Sequence, residues 1–489
     1  MPLLASPAVQ LSIEQHCWVS QQRHPETLSQ KRPNEAASSV SESEPNRPDE
    51  LSRDEVLIRD EPRNLLALAL YNVVLRASWI FKTESVIMPR FLDVIDGSGF
   101  VRGWLPLLNR AGQSIPPLIL ADRLRQRPLK RHAMHQTSTL MGVCFLTLAT
   151  IWFLIGEPVE GGAPAWIAPA FMVIYVAFFV VSGLNQLVLG TLTGKLIRAN
   201  RRGKLLGRAG ITGSFLSILL AWFLLARWLE PPVQLPTGGY VLIFGFAGTG
   251  FALAGLLTIP LREPVDEPSG EIRHRSIATA FSDAWQTMRT DQSFRRAAIV
   301  AMLFISVQLL FPHFQAFGRR HITDEHEGFQ LMLWVIAQNA AVGAFSWGSG
   351  FIADRFGNRL AIRIQVFLCT LTPLIALLLT SGLIEDGVRW FWVAFVFLGL
   401  VPVTMKTFIN YTLELTEPEN HPRYVSTMSL SFAVPFVLSP VVGALIDSIG
   451  FEPVFVAISG TILTGGLLTY RMAEPRHSGS MTETADSTT

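Results

Sequence analysis

LADRLRQRPLKR (residues 120–131) and IADRFGNRLAIR (residues 352–363) are two copies of one phrase. A shift of 232 residues lays Ala121 on Ala353, Asp122 on Asp354, Arg123 on Arg355, Arg127 on Arg359 and Arg131 on Arg363. Each copy closes a long apolar block, the second of six in its half of the chain. One motif at one depth in two six-block sets indicates a duplicated, all-α membrane architecture of the kind transporters use.

Working outward from the two copies, twelve apolar blocks can be drawn. They run at about 65–86, 103–121, 133–155, 165–190, 206–226 and 239–260, then 297–317, 331–353, 360–380, 390–413, 426–446 and 453–470. Such lengths suit a hydrocarbon layer roughly 30 Å thick. The first two carry the weakest signal, being interrupted by Arg76 and by Asn109, Arg110 and Gln113. Composition agrees: the chain is 49% hydrophobic and 16% charged, against about 25% charged in soluble domains. That excludes a soluble multidomain protein and makes the lipid bilayer a partner. A net charge of +2 gives no reason to expect nucleic acid.

Orientation follows from Lys and Arg in short loops. DRLRQRPLKRH after block two and KLIRANRRGKLLGR after block four are dense in positive charge, whereas GEPVEGGAP (156–164) and SIGFEP (448–453) have none. The basic loops and both termini are therefore expected in the cytoplasm, with the protein in the cell (inner) membrane. Trp104, Trp152, Trp166, Trp228, Trp390 and Trp392 fall at the outer ends of blocks, where an aromatic belt belongs.

Residues 1–62 are polar and rich in Ser, Pro and charge. They read as a disordered cytoplasmic tail, as do residues 473–489. Between them lie a six-helix bundle over 63–260, a linker over 261–296 and a second bundle over 297–472. In the linker Ile277, Phe281, Ala284, Trp285 and Met288 recur at helical spacing. They suit an amphipathic helix on the membrane surface or a plain linker helix. Cys17, Cys144 and Cys369 are far apart and show neither disulfide nor metal spacing.

The repeated phrase resembles the signature loop of the major facilitator superfamily, G-x-x-x-D-R-x-G-x-R, over a helical region of about 65–470. The second copy matches fully through Gly350, Asp354, Arg355, Gly357 and Arg359. The first keeps Asp122, Arg123 and Arg127 but has Leu118 and Arg125 in place of the glycines. The resemblance implies a gate. Asp122 and Asp354 would latch the two bundles when a central cavity, lined mainly by blocks 1, 4, 7 and 10, faces outward. An acidic side chain can meet the positive end of a neighbouring helix, and glycine allows close approach. The alternative is that these arginines only obey the positive-inside rule.

A charge at mid-bilayer costs about 2.5–3.5 kcal/mol, so it faces a cavity or a partner. Arg76 stands midway along its block, on a stripe with Asn72 and Thr83 and with Glu84 at the edge. It either attracts an anionic group or pairs with a carboxylate or backbone carbonyls. Lys406, Asn410 and Glu414 follow one another every four residues. Lys406 is a second positive group for substrate or a partner of Glu414. Gln186, Gln308, Gln338 and Asn339 are candidates to line the cavity, or simply bond between helices. Lys82 and Glu84 are expected to hydrate near the outer surface, and His313 and His321 to be solvated there. Glu84 and Glu414 are the candidates for carrying a coupled proton.

Gly190, Gly194 and Lys195 imitate a phosphate loop with one residue too few, and Leu196 replaces its Ser/Thr. No nucleophile elbow or metal spacing is seen. The reading is thus of no enzyme, cofactor or metal, but of a monomeric secondary transporter working by alternating access. Its substrate is a small organic solute, and Arg76 and Lys406 make an anion the leading candidate. The alternatives are a proton-coupled drug or metabolite efflux pump and a non-transporting receptor or scaffold of the same fold.

Overall fold

The structure is a computed structural model that describes residues 53–156, 163–229, 238–266, 277–322 and 327–474. Most of the two expected tails, including Cys17, lies outside the described residues. Eleven helical segments there are long and apolar enough to cross a membrane. In chain order they are Leu57–Ile95, Lys130–Ile155, Ile167–Leu196, Asn200–Leu229, Gly239–Leu256, Gln292–Arg319, Glu327–Phe356, Asn358–Thr380, Gly387–Glu414, Pro418–Ile449 and Phe451–Arg471. The remaining span, second in chain order, is the helix Gly99–Arg125. Its length is sufficient, but Arg102, Asn109, Arg110 and Gln113 lower its hydropathy. Spans are counted below from one to twelve.

The first helix begins at Arg53, within the segment expected to be disordered. Its early residues have structural partners: Glu61 is buried against Arg198 and Arg201, and Asn64 exchanges hydrogen bonds with the backbone of Arg262. The helix stops at Trp79, tightens over Ile80–Lys82 and restarts as Ile87–Ile95. Thr83 is extended, with φ −55° and ψ 132°, so the expected stripe through Asn72, Arg76 and Thr83 is broken there.

Helix packing repeats between halves. Spans three and six, two and four, one and five, and one and six are in contact; so are nine and twelve, eight and ten, seven and eleven, and seven and twelve. The halves meet chiefly through two further pairs, span two with eleven and span five with eight. Aromatic rings fill the interior of both halves. Phe91 packs against Trp152, Phe171, Tyr240 and Phe244 in the first half, and Trp334 stacks on Phe395 with centroids 4.9 Å apart in the second. Trp152 is therefore a buried core residue, not part of the aromatic belt. Outside, Leu154, Val173 and Phe215 are exposed as lipid-facing groups should be.

Between the halves, the helix Ile277–Thr290 forms in the linker. It buries Ala284 and leaves Phe281 and Trp285 exposed. Asp291 then caps span seven by accepting Phe294 N at 3.0 Å and also accepts the Tyr424 hydroxyl at 3.0 Å.

Candidate functional site

The face bearing residues 120–131 and 352–363 is here called the motif face, and its opposite the far face. On the far face the halves are joined. Asp447, near the end of span eleven, accepts Gly99 N at 2.7 Å, Phe100 N at 2.9 Å and the Ser98 hydroxyl at 3.2 Å. A carboxylate of the second half thus caps the N-terminus of span two in the first, where unpaired N–H groups and the helix dipole favour negative charge. Glycine permits the approach: a Cβ on Gly443 would stand 2.1 Å from the Gly99 carbonyl oxygen. Glu327, opening span eight, accepts from Arg90 of the first half and from Arg319 at 2.9 Å. The Ser85 hydroxyl meets the Gln338 side chain across the same seam, and Trp222 contacts the Phe329 ring edge-on at 6.4 Å. His313 is fully buried beneath this seal, which corrects its expected solvation; His321 Nδ1 lies 3.1 Å from the Phe317 carbonyl oxygen.

Toward the motif face burial falls away along spans two, eight and eleven. No residue from 342 to 356 in span eight is buried, nor any from 421 to 426 in span eleven, nor any described side chain from 113 to 125 in span two. A Cβ on Gly343, Gly348 or Gly350 would meet nothing within 4 Å. Gly350, expected where helices approach closely, faces open space in this conformation.

The two motif copies are held differently. In the second, Asp354 and Arg355 are exposed and the Arg355 guanidinium lies 5.6 Å from the Phe356 ring centre. Gly357 turns into span nine with φ +92°, a conformation that favours glycine. Asn358 then donates to Glu414 at 2.9 Å, and Arg359 approaches Glu474 at 3.9 Å. In the first copy Arg123 is exposed, Arg127 donates to Gln136 at 3.2 Å, and the Asp122 side chain lies outside the described residues.

A clasp unrecognised in the sequence secures that first copy. Glu263 accepts Lys130 N at 3.0 Å and Arg131 N at 2.8 Å, and Lys195 Nζ reaches Glu263 and Asp266 at 2.8 Å each. Burial raises the Asp266 carboxyl, but hydrogen bonds from Lys130 and Lys195 outweigh it and hold the group below its ordinary value. The stretch LREPVDEP (261–268) looked like plain linker because its basic partners lie 68 to 136 residues away.

In the centre, Arg76 of the first half and Lys406 of the second are close enough for their like charges to repel. The stem of Arg76 lies on span five, where a Cβ on Gly213 would be 3.2 Å from its Cδ. No carboxylate pairs with Arg76 among the described residues. Beside Lys406, Met405 Sδ lies 3.8 Å from Gln308 Nε2. Asn410, one turn along, is half-buried. Asn72 and Asn339 donate to their own helices, at 2.7 Å and 2.8 Å, and keep their amide oxygens available. Gln338 is drawn into the far-face seal. Gln186 is exposed and nothing ties it to the other candidates.

Lys82 and Glu84 do not hydrate at the surface as expected. Lys82 is fully buried, its ammonium 3.9 Å from the Trp79 ring centre, 4.1 Å from that of Phe179 and 2.8 Å from Glu84. Asn109 also donates to Glu84. Cation–π contacts and an ion pair offset the loss of hydration. Two further polar features were missed. Asn185 and Tyr71 form a buried network with Ser138 and Thr137; alternating Asn, Ser and Thr in apolar blocks gave no usable signal. Arg110 was visible only as an interruption of a block, and its neighbours on span eleven are 319 or more residues away. Among the described residues no cluster of His, Cys, Asp or Glu could hold a metal ion.

A family model described as Major Facilitator Superfamily matches residues 235–411. No curated protein sequence matches. Among solved structures, an aspartate-to-alanine mutant of the nucleoside transporter NupG superposes with a TM-score of 0.65 at 11% identity, covering 84% of this chain and 100% of that one. A D-xylose–proton symporter gives 0.61 at 13% identity, over 84% and 98%. A bacterial homologue of the iron transporter ferroportin, in an inward-facing state, gives 0.59 at 14% identity, over 84% and 98%.

Proposed function

We propose that this chain, a major facilitator superfamily protein by its fold and by the family match over residues 235–411, is a secondary transporter moving a small organic anion by alternating access. The observation that carries the anionic substrate is Arg76, a mid-membrane guanidinium with no carboxylate partner among the described residues, beside the like charge of Lys406. A guanidinium is costly at that depth, and an anion beside Arg76 offsets both its desolvation and the repulsion from Lys406. The cycle follows from the two faces. The Lys/Arg bias puts the motif face and both termini in the cytoplasm, so the conformation is open inward. Rocking the halves would release Asp447 and Glu327 at the far face and bring Asp122 and Asp354 into their latching positions at the motif face. The two bundles, 63–260 and 297–472, act as the moving bodies of one monomer in the inner membrane.

Uptake into proteoliposomes tests the reading. Arg76→Gln is expected to cut anion uptake at least about tenfold, the loss of one charge-assisted hydrogen bond, while leaving protein yield unchanged. Unaltered anion uptake by Arg76→Gln would remove the anionic assignment. Proton-coupled efflux is the second reading. It is favoured by Glu84, a half-buried carboxylate shared between Lys82 and Asn109 and next in the chain to Ser85, which meets Gln338 of the other half. It requires that an imposed pH gradient drive flux and that Glu84→Gln abolish that drive.

A further inference from the structure

Arg110 is the one mid-membrane guanidinium of the second span that the transport reading leaves without a role. It lies seven residues along the helix from Gly103, hence on the same face, where the close contact with span eleven ends: a Cβ on Gly103 would lie 2.6 Å from the Ser439 carbonyl oxygen. Its guanidinium carbon sits 6.0 Å from the ring centres of both Phe432 and Phe436. One terminal nitrogen makes a long 3.4 Å contact to the Ser429 carbonyl oxygen, and its buried Nε has no partner.

The carboxylates of spans one, eight and eleven toward the far face are committed elsewhere. Glu84 holds Lys82 and Asn109, Asp93 holds Arg102, Glu327 holds Arg90 and Arg319, and Asp447 caps span two. No carboxylate pairs with Arg110 among the described residues. Hydrocarbon does not accept a guanidinium at this depth, so its accessible side must open into the crevice between the halves. An arginine fork with an unfilled donor, flanked by two aromatic rings, is a fitting site for a carboxylate attached to an apolar body.

We propose that the cavity binds a solute with two separated carboxylates, one between Arg76 and Lys406 and the other at Arg110, with the apolar body against Phe432 and Phe436. This rests on the anionic reading of Arg76 and narrows it to dicarboxylates. Arg110 is then a specificity-determining residue that distinguishes two anionic ends from one.

The test is thermal stabilisation of the purified, detergent-solubilised protein. The probes are linear dicarboxylates from succinate to sebacate, the monocarboxylates of equal length, and phenyl phosphate, which carries both charges on one group. Some dicarboxylate is expected to stabilise the wild type at concentrations about tenfold below its matched monocarboxylate. Arg110→Gln should erase that advantage without weakening the monocarboxylate, and Arg110→Lys should restore part of it. Arg76→Gln should weaken both. The proposal is overturned if no dicarboxylate outperforms its monocarboxylate, if phenyl phosphate outperforms every dicarboxylate, or if Arg110→Gln leaves the advantage intact. Each of these leaves the single-anion reading standing when Arg76→Gln still weakens the monocarboxylate. If Arg76→Gln weakens neither ligand, it is the anionic reading that fails.

Discussion

The far face and the motif face are built from the same parts, acidic side chains at helix ends with glycines close by, yet among the described residues they are packed to different degrees. Asp447 caps span two and Gly443 packs on Gly99, while Asp354 is exposed and Gly350 faces open space. The difference teaches that such a motif is not a fixed weld. Under the proposed alternating access it would work as a contact that forms at one face in one conformation and at the other face in another. Between spans one and eight the far face adds an ionic contact, Glu327 with Arg90, to the neutral one of Ser85 with Gln338, and Arg319 of span seven shares the same carboxylate.

Breaking the far-face seal should therefore change the conformational balance, and the expected effects can be ranked. The readout is labelling from the far side, by a membrane-impermeant thiol reagent, of Ser439→Cys in a background lacking Cys17, Cys144 and Cys369. Ser439 is fully buried in the seal. Glu327→Gln should act most strongly. Removing the shared carboxylate leaves two partly buried guanidinium groups facing each other, a loss of about 2–5 kcal/mol across an interface. Labelling should rise by roughly one and a half to three and a half orders of magnitude, and an unchanged rate would show that the ion pairs do not hold the seal.

Gly443→Ala comes next. The added methyl collides with backbone, so the helices must part, at about 1–3 kcal/mol; labelling should rise between about fivefold and a hundredfold. Asp447→Asn should have a smaller effect, since asparagine still caps a helix and only the charge–dipole part is lost, about 0.3–1 kcal/mol. A two- to fivefold rise is expected. At the motif face, Gly357→Ala should sharpen the contrast. Its φ of +92° strains an alanine in every conformation, so the melting temperature should drop while Ser439→Cys labelling stays constant. A change in labelling there would mean that the Gly357 turn takes part in switching.

The clasp on the first motif copy supplies a pH test of the same contrast. Because Asp266 is held below its ordinary value by Lys130 and Lys195, its contribution is present above the unfolded carboxylate range. It is lost as pH falls through the lower, folded value. Acid melting curves of wild type and Asp266→Asn should separate at neutral pH and converge only once the pH has fallen below the ordinary carboxylate range.

Much of the fold was legible because hydropathy reports directly on the bilayer. The twelve spans, the division into halves and the doubled motif all follow from local composition, and even span two was placed despite Arg102 and Arg110. Arg76 and Lys406 stood out for the same reason, since a charge in an apolar block is conspicuous. Lys82 was misjudged because its position near a block end resembles a hydrated lysine. Only folding brings Phe179, nearly a hundred residues on, against its ammonium. His313 was misjudged likewise, its burial coming from spans of the other half.

The sequence by itself determined that the chain crosses a membrane many times as two related sets of helices, and which polar groups are out of place in hydrocarbon. Those are properties of each segment against its solvent, and they need no knowledge of neighbours. Tertiary structure alone decided which of those groups meet: Lys82 with Glu84 and the Trp79 and Phe179 rings, Glu327 with Arg90, Asp447 with the start of span two. Pairings across hundreds of residues depend on how rigid helices pack and on which face of the bundle is closed, and no local pattern encodes either.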